Sequence, residues 1–396
     1  WARPSSSPSC SSADANACRN GTGPPALPAV TKIAITSVGS LVGQNILDSL
    51  HGRRDGIEVV GINSTADAAS NFRCDRAYLA PPAASGDAYL ARLSSVLGDE
   101  RPDLVLPGRD DDVLALAQFK EARPQLAPAI PVGPSRLARI LGDKWASREF
   151  AGAHALPYAD SAPADDAAAI GHLLARHGYP LVAKPRRGNG SRGVRIVYDE
   201  RQLAAFAALP DYLLQPYLEP EAGLTSWREL ARDGTPLFHA PALQQIACQA
   251  VIGPDRRIRG LLCTVVELVM GRLERTWRLD ERGVDDVARR YAEAFAAAGW
   301  VGALNLQGRR DGSGVFNVYE LNGRLTGGTT ARLHLGFDEL GMLIEAFTGH
   351  RLPPRPASAN AIVTKSLTEF AMLPADIGRL QADGRWQSGT PDSTAG

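Results

Sequence analysis

The sequence lacks an excess of charge of either sign. Its 43 lysines and arginines are balanced by 43 aspartates and glutamates, which gives a formal net charge of zero. Proteins that bind nucleic acids usually carry a basic excess, because they displace counterions from the phosphate backbone. The balance therefore argues against a nucleic-acid partner.

Cysteine is scarce as well. The five cysteines form no CxxC pair, and their odd number argues against a disulfide framework. None lies among histidines at zinc-ligand spacing, and the seven histidines contain no HExxH pattern. We therefore predict no zinc site, and we interpret Cys248 and Cys263, in apolar strands, as core thiols.

Long hydrophobic runs are also missing. The longest apolar stretch, around residues 261–270, is interrupted by Glu267 and is too short to cross a bilayer. Residues 1–30 are rich in Ser, Pro, Ala and Gly and lack the apolar region of a secretory signal, so we predict a disordered tail there. These features predict a cytoplasmic protein without a membrane partner.

Strands and helices alternate from Lys32 onwards. The length of 396 residues and the apolar fraction of 44% allow two to three packing units. Predicted strands at 32–37, 58–62 and 103–106 alternate with predicted helices at 41–50, 87–97 and 111–121. Alternating βα units predict a parallel sheet. We place this first domain at residues 31–134, where a proline-rich segment ends it.

The chain from residue 135 to 350 has a different character. Predicted helices cover 136–141, 143–153, 166–177, 284–298 and 337–348. Predicted strands cover 180–184, 194–198, 213–218, much of the chain to residue 270, 301–307 and 315–322. Segregated strands and helices predict an α+β unit. We divide this unit into residues 135–215 and residues 216–350. A loosely structured extension is predicted over residues 351–396.

Two of the predicted parallel strands are followed by segments that could bind a ligand: one contains glycines, and the other contains three aspartates. Ser37-Val-Gly39-Ser-Leu-Val-Gly43 has the position of a Rossmann fingerprint, but its spacing is incomplete, and the next strand ends in Asn63 instead of an acid. We favour a tight turn of small residues and predict no NAD. Asp110 to Asp112 follow a later strand, and we favour a helix N-cap cluster over a ligand site.

A glycine-rich loop lies between two predicted strands. Gly188-Asn-Gly190-Ser-Arg-Gly193 precedes a strand, not a helix, and no Lys-Ser/Thr follows it, so both Rossmann and P-loop contexts fail. The HRD and DFG motifs of protein kinases are absent. A flap whose amides close over phosphates is predicted, with a solvated mobile hairpin as the alternative. Lys184, just before the loop, is the candidate phosphate ligand, and Arg186, Arg187 and Arg192 surround it.

Oxygen-bearing side chains follow two later strands. Asn305-Leu-Gln307 ends one strand and Glu320-Leu-Asn322 ends the next. Side chains alternate along a strand, so Glu320 and Asn322 share a face. Mg²⁺ prefers such oxygens and takes further ligands from nucleotide phosphates and water. We predict a magnesium site, with an ordinary polar strand edge as the alternative.

Taken in order, these segments resemble the ATP-grasp family, and within it the synthetase halves of the carbamoyl-phosphate synthase large chain. The resemblance covers residues 32–350 and rests on Gly142-Asp-Lys144, Val182-Ala-Lys184-Pro with the glycine loop, Leu214-Gln-Pro-Tyr-Leu218, Asn305-Leu-Gln307 and Glu320-Leu-Asn322-Gly-Arg324. It implies a parallel βα pre-ATP-grasp domain followed by a two-lobed ATP-grasp fold, with residues 135–215 carrying the flap and residues 216–350 the metal site.

The resemblance also implies ligands and roles. ATP is expected, with Mg²⁺ or Mn²⁺. The nucleotide would be held by Lys144, Lys184, Gly188, Gly190, Ser191, Gly193, Gln215, Tyr217, Leu218, and Glu219 or Glu221 at the ribose. The metal ligands would be Gln307, Glu320 and Asn322, and Arg324 with Lys184 would act on the transferred phosphoryl group. Pro216 departs from the family pattern, because it removes one backbone donor from the adenine-binding strand.

The implied reaction is an ATP-dependent ligation. ATP would phosphorylate a small carboxylic acid or amino acid, and an amine would attack the acyl phosphate, releasing ADP and phosphate. The alternatives are a small-molecule kinase and a non-catalytic nucleotide-binding module. No motif in the sequence distinguishes biotin carboxylation or names the acid and the amine. By analogy, a homodimer through the first domain is a further expectation.

Overall fold

The computed structural model describes residues 30–125, 130–188, 190–207, 209–218, 243–269, 272–366 and 368–389. All but the last residue of the predicted tail lies outside these ranges. So do Glu219 and Glu221, the two alternative ribose ligands. No helix in the described ranges is long and apolar enough to span a membrane.

A sheet with four parallel strands lies in the part of the chain that we predict as the first domain, and we keep that name for it. Its elements are β1 (Thr31–Thr36), α1 (Leu41–Leu50), β2 (Ile57–Asn63), β3 (Arg76–Leu79), α2 (Asp87–Glu100), β4 (Leu104–Leu106) and α3 (Asp110–Ala122). The four strands are ordered β3-β2-β1-β4 and pair in parallel, as the alternating pattern predicted. β3 was not predicted, because it is short and begins with a charged residue.

The turn between β1 and α1 requires small residues. Ser40 caps α1, and its Oγ accepts a hydrogen bond from Gly43 N at 3.0 Å. A Cβ atom on Gly43 would lie 2.2 Å from the carbonyl oxygen of Val38, and one on Gly39 would lie 2.5 Å from Asn63 Nδ2. The backbone of Val38 beside Gly43 and the side chain of Asn63 beside Gly39 leave no room for a Cβ atom, in agreement with the predicted tight turn.

A small antiparallel sheet forms the first part of the second unit, which we call the flap lobe. Its elements are α4 (Ser135–Gly142), α5 (Lys144–Ala153), β5 (Ala162–Pro163), α6 (Ala167–His177), β6 (Leu181–Pro185), β7 (Arg195–Val197), α7 (Glu200–Ala204) and β8 (Tyr212–Pro216). The strand order is β5-β8-β6-β7. Leu173 of α6 and Leu181 and Leu214 of the sheet belong to the lobe's own buried core.

A larger antiparallel sheet forms the remainder, which we call the metal lobe. Its elements are β9 (Leu243–Ile252), β10 (Ile258–Val269), β11 (Arg272–Arg278), α8 (Arg282–Ala298), β12 (Gly302–Arg310), β13 (Phe316–Asn322), α9 (Thr329–His334), α10 (Glu339–Thr348) and β14 (Val363–Thr364). The strand order is β13-β12-β9-β10-β11-β14. Helix α9 was not predicted, and the helix predicted at 337–348 begins at Glu339.

Cysteines in this sheet are core residues, as predicted. Cys248 of β9 lies directly opposite Cys263 of β10, and their Sγ atoms are 2.7 Å apart. Both are buried and free, as is Cys74 of the first domain. Burial raises the pKa of the Cys74 thiol to about 12, which makes it a poor nucleophile.

The C-terminal extension is more ordered than predicted. α11 (Pro374–Asp383) leads into β15 (Arg385–Gln387), which pairs antiparallel with β3 at the edge of the first sheet. Trp386 contacts the ring of Phe72 edge to face at 5.3 Å. The prediction of a loosely structured end is wrong for these residues, because the contacts that order them come from a segment some 300 positions earlier in the chain.

Candidate active site

Four polar side chains share one face of the β12–β13 hairpin. Asn305 lies opposite Asn322, and Gln307 lies opposite Glu320. The amide groups of Gln307 and Asn322 both point at Asn305 Oδ1, at 3.3 Å and 3.5 Å. The hairpin therefore brings the three predicted metal ligands together and adds Asn305, which is buried and donates to the carbonyl of Cys248 at 3.2 Å.

The donor set of this face suits a hard cation. The amide nitrogens of Gln307 and Asn322 are turned towards Asn305, which leaves their oxygens as acceptors, and Glu320 supplies a carboxylate. Asn322 Oδ1 already accepts from Arg324 at 3.2 Å. In the described ranges, no three His, Cys, Asp or Glu side chains lie close enough to hold a metal by themselves. A cation here would depend on phosphate oxygens and water as well as on Glu320. The assignment of metal ligands stays a prediction.

Lys184 is a buried cation close to this face. Its Nζ lies 4.6 Å from the centre of the Tyr319 ring, a cation–π distance. Burial lowers the pKa of the Lys184 ammonium to about 7; the carboxylate of Glu320 opposes the change, and the charge of Lys144 adds to it. An incoming anion would stabilise a buried ammonium of this kind.

Lys144 connects the metal lobe with the glycine loop. Its Nζ lies 3.9 Å from Glu320 Oε1 and donates to the carbonyl of Gly188 at 3.3 Å. The hydroxyl of Tyr158 lies between the carbonyls of Lys144 and Tyr319, at 3.2 Å and 2.9 Å, and thereby fixes the start of α5 against β13. The structure thus places both predicted phosphate lysines beside the predicted metal face.

The glycine loop joins two paired strands, as the flap interpretation requires. β6 and β7 pair antiparallel. Gly188, Gly190 and Gly193 have φ values of 110°, 63° and 76°, and Ser191 has 57°. Residues other than glycine rarely adopt such values, which explains the glycines on backbone grounds alone. Contact of this loop with phosphates stays a prediction.

The sequence pattern gave no sign of the contacts that Asp143 makes. It caps α5, and it binds Arg186 through two contacts, Nε to Oδ1 at 3.2 Å and Nη2 to Oδ2 at 2.9 Å. Arg187 also reaches Asp143, at 3.5 Å, while Arg192 is exposed. The charge of Arg186 thus connects the loop with the start of α5, and the expectation that these arginines surround the same ligand as Lys184 stays a prediction.

Strand β8 lies where the sequence predicts the adenine-binding strand: it covers Tyr212–Pro216, and the predicted range is 213–218. Gln215 is buried and donates from Nε2 to Ser161 Oγ at 3.0 Å, and the backbone N–H of Tyr217 donates to the carbonyl of Pro180 at 3.1 Å. A cavity of about 530 Å³ is lined by Pro216 and Leu218, but by none of the predicted phosphate or metal ligands. The adenine contacts of Gln215, Tyr217 and Leu218 stay a prediction.

Arg324 is held by a residue of the first domain. Its Nη2 donates to Asp110 Oδ2 at 2.7 Å and to Asn322 Oδ1 at 3.2 Å, and its Nη1 donates to the carbonyl of Leu325 at 3.1 Å. Gly323, between Asn322 and Arg324, packs on the buried Trp300, where a Cβ would lie 2.5 Å from the indole. The packing of Gly323 on Trp300 thus fixes the turn that carries Arg324.

The three consecutive acids at the start of α3 have different environments. Asp112 is buried and accepts from the backbone N–H of Arg109 at 3.0 Å and from the hydroxyl of Tyr89 at 3.1 Å. Asp111 is exposed, and Asp110 pairs with Arg324. All three acids lie in the first turn of α3, in agreement with the predicted cluster at the helix start, and Asp112 accepts from the backbone of the N-cap residue. The additional ion pair of Asp110 with Arg324 was not predicted, because it leaves no local signal in the sequence.

Curated proteins match only part of the chain, and no protein-family model matches it. The chain is 38% identical to the biotin carboxylase of Pseudomonas aeruginosa over 84 residues, which cover 20% of this chain and 18% of that protein. It is 27% identical to the methylcrotonoyl-CoA carboxylase subunit alpha of Rattus norvegicus over 182 residues, 44% of this chain and 24% of that protein. The matches therefore span a quarter or less of these relatives.

Solved structures match most of the chain. N5-carboxyaminoimidazole synthetase from Staphylococcus aureus, complexed with ADP, has a TM-score of 0.62 at 15% identity, covering 90% of this chain and 86% of that one. The biotin carboxylase domain of the Hydrogenobacter thermophilus 2-oxoglutarate carboxylase, with MgADP and bicarbonate, has a TM-score of 0.59 at 16% identity, covering 84% and 72%. The chain has the fold that these two proteins share, and the predicted fold class is confirmed.

Proposed function

We propose that this chain, which has the ATP-grasp fold, is an ATP-dependent ligase that joins a small carboxylic acid or amino acid to an amine. ATP would phosphorylate the carboxylate, the amine would displace the phosphate, and ADP and phosphate would leave. ATP and Mg²⁺ are the proposed nucleotide and metal, because the structural relatives were solved with ADP and MgADP.

One observation carries the proposal. Two lysines from different elements, Lys184 on β6 and Lys144 on α5, are placed around Glu320 on the face that also holds Gln307 and Asn322. Cations beside an oxygen-rich face can bind a phosphate chain together with a divalent cation. Removal of the two lysines would leave the carboxylate of Glu320 without nearby cations, and removal of Glu320 would leave the two ammonium groups without their carboxylate.

The chain's own residues would act mainly by position and charge. Lys184 and Lys144 would bind and neutralise phosphate oxygens, and the loop over Gly188–Gly193 would close and exclude water from the acyl phosphate. When bound to Gln307, Glu320 and Asn322, Mg²⁺ supplies charge neutralisation at the phosphates. Arg324 would stabilise the phosphoryl group during transfer.

A second candidate function is carboxylation with bicarbonate as the acid. The curated relatives are carboxylases, and the Hydrogenobacter structure contains bicarbonate. Bicarbonate presents a carboxylate group, so the same site would form carboxyphosphate from bicarbonate and ATP with release of ADP. The carboxyl group would then pass to a nitrogen with release of phosphate. The likeness to carbamoyl-phosphate synthase also stays a prediction, as do a cytoplasmic location and a homodimer.

The test measures ADP formation with acids and amines in combination. Bicarbonate and a panel of carboxylates and amino acids are supplied alone and in pairs with amines, with Mg²⁺ and ATP. We expect ADP only when an acid and an amine are both present, and an amide or carbamate product. A phosphorylated product with a single substrate identifies a kinase, and binding of ATP without any turnover identifies a non-catalytic module.

The low pKa of Lys184 predicts a pH dependence of nucleotide binding. The pKa of about 7 means that Lys184 is charged below pH 7 and largely neutral above it in the free protein. Bound phosphates would favour the ammonium, so binding above pH 7 takes up a proton. We expect the contribution of Lys184 to leave the Kd for MgADP unchanged below pH 6 and to raise it by up to about tenfold per pH unit above pH 7.

Calorimetry in buffers of different ionisation enthalpy measures this proton uptake directly. Lys184→Arg is the matched control, because its guanidinium remains charged throughout and its binding should show no such slope. Equal slopes in the wild type and the variant would show that another group takes up the proton.

A further inference from the structure

We propose that Asp110 is a positioning residue, whose carboxylate holds the guanidinium of Arg324 where it can act on the phosphoryl group in transfer. The inference rests on the proposed function, because Arg324 meets a phosphoryl group only if the chain uses ATP. It goes further by giving the first domain a part in the chemistry of the metal lobe.

The geometry around Arg324 leaves Asp110 as its charged partner. Arg324 is 11% exposed, and its other acceptors are uncharged: the amide oxygen of Asn322 and the carbonyl of Leu325. The Nε atom is buried and has no hydrogen-bond partner among the residues that the structure describes. The two Nη atoms thus fix the orientation, and the donor at Nε is left for another oxygen.

The position of Asp110 suits this task. It is the first residue of α3, where the positive end of the helix dipole favours an ionised carboxylate. It is 19% exposed, so water screens the pair only partly. Because Asn322 shares Nη2 of Arg324 with Asp110, the carboxylate also fixes the guanidinium relative to a predicted metal ligand.

A purely structural ion pair between the two domains is the alternative. Such a pair would affect stability, and it would affect the binding of every nucleotide state to the same extent. A positioning role predicts a selective effect on the state in which the phosphoryl group is planar. MgADP with aluminium fluoride mimics that state and needs no acceptor substrate, so the two roles can be separated by binding alone.

The experiment compares MgADP with MgADP plus aluminium fluoride by calorimetry. We expect the wild type to bind the fluoride complex more tightly than MgADP. Asp110→Asn should weaken the fluoride complex by about 10- to 100-fold, the value of one charge-assisted hydrogen bond, and should change MgADP affinity less than about twofold. Asp111→Asn, on the exposed neighbour, should change neither.

Further variants keep the assignment falsifiable. Asp110→Glu retains the charge and should recover part of the affinity for the fluoride complex that Asp110→Asn loses. If Asp110→Asn is unstable, the intermediate affinity of Asp110→Glu still tests the assignment. In an Arg324→Ala background, Asp110→Asn should cause no further loss. The positioning role would be overturned if Asp110→Asn weakened MgADP and the fluoride complex equally, or weakened neither. It would also be overturned if the losses of Asp110→Asn and Arg324→Ala added in the double variant. A wild type without fluoride enhancement contradicts the proposed phosphoryl transfer, and the assignment with it.

Discussion

Replacing Glu320 with glutamine should lower the rate of ADP formation by at least about 1,000-fold, equivalent to about 4 kcal/mol of transition-state stabilisation. Glu320 is the carboxylate of the face that also holds Asn305, Gln307 and Asn322. Glutamine keeps the shape and one oxygen but removes the charge that attracts a divalent cation. The loss should therefore fall on turnover more than on the binding of metal-free nucleotide.

The measurement pairs turnover with ADP binding in the presence and absence of Mg²⁺. We expect Glu320→Gln to bind metal-free ADP within a few-fold of the wild type and to lose most of the additional affinity that Mg²⁺ confers. Glu345→Gln is the control, because Glu345 lies in the same lobe and its ion pair with Arg351 is exposed. Normal turnover in Glu320→Gln would remove the metal assignment and favour the polar-edge alternative.

Local patterns explain why the strands and the loop that carry the candidate site could be predicted. Alternation along β13 is a property of the strand itself, so Glu320 and Asn322 could be placed on one face from the sequence. The strand–loop–strand arrangement around Gly188–Gly193 is equally local. Such features need no knowledge of tertiary contacts, and the structure reproduces them.

Partners far apart in sequence explain what was not predicted. Asp110 and Arg324 are separated by 214 positions, and Asp143 and Arg186 by 43. Each of these charges also has a plausible local explanation, as a helix cap or a solvated loop residue. The pairing is decided by tertiary packing, which local periodicity does not contain. The same holds for β15, which is a strand only because β3 lies beside it.

The second large effect concerns the stability of the turn that carries Arg324. Arg332 and Glu339 are both almost fully buried, and Arg332 donates to Glu339 Oε1 from Nη2 at 2.6 Å and from Nε at 3.0 Å. Nη2 also donates to Thr326 Oγ1 at 2.8 Å and to Gln249 Oε1 at 3.2 Å. The pair thus joins α9 and α10 to β9 and to the segment after Arg324.

Glu339→Ala should lower the free energy of unfolding by about 3–5 kcal/mol, because it leaves the guanidinium of Arg332 buried without a counter-charge. Denaturant unfolding measures this loss. Glu345→Ala is the matched control on the same helix: it breaks an exposed pair and should cost less than about 1 kcal/mol.

Replacing both Arg332 and Glu339 with apolar residues should recover part of the stability and not all of it, since Gln249 and Thr326 lose a partner. Similar small losses for Glu339→Ala and Glu345→Ala would mean that the buried pair contributes no more than a surface one.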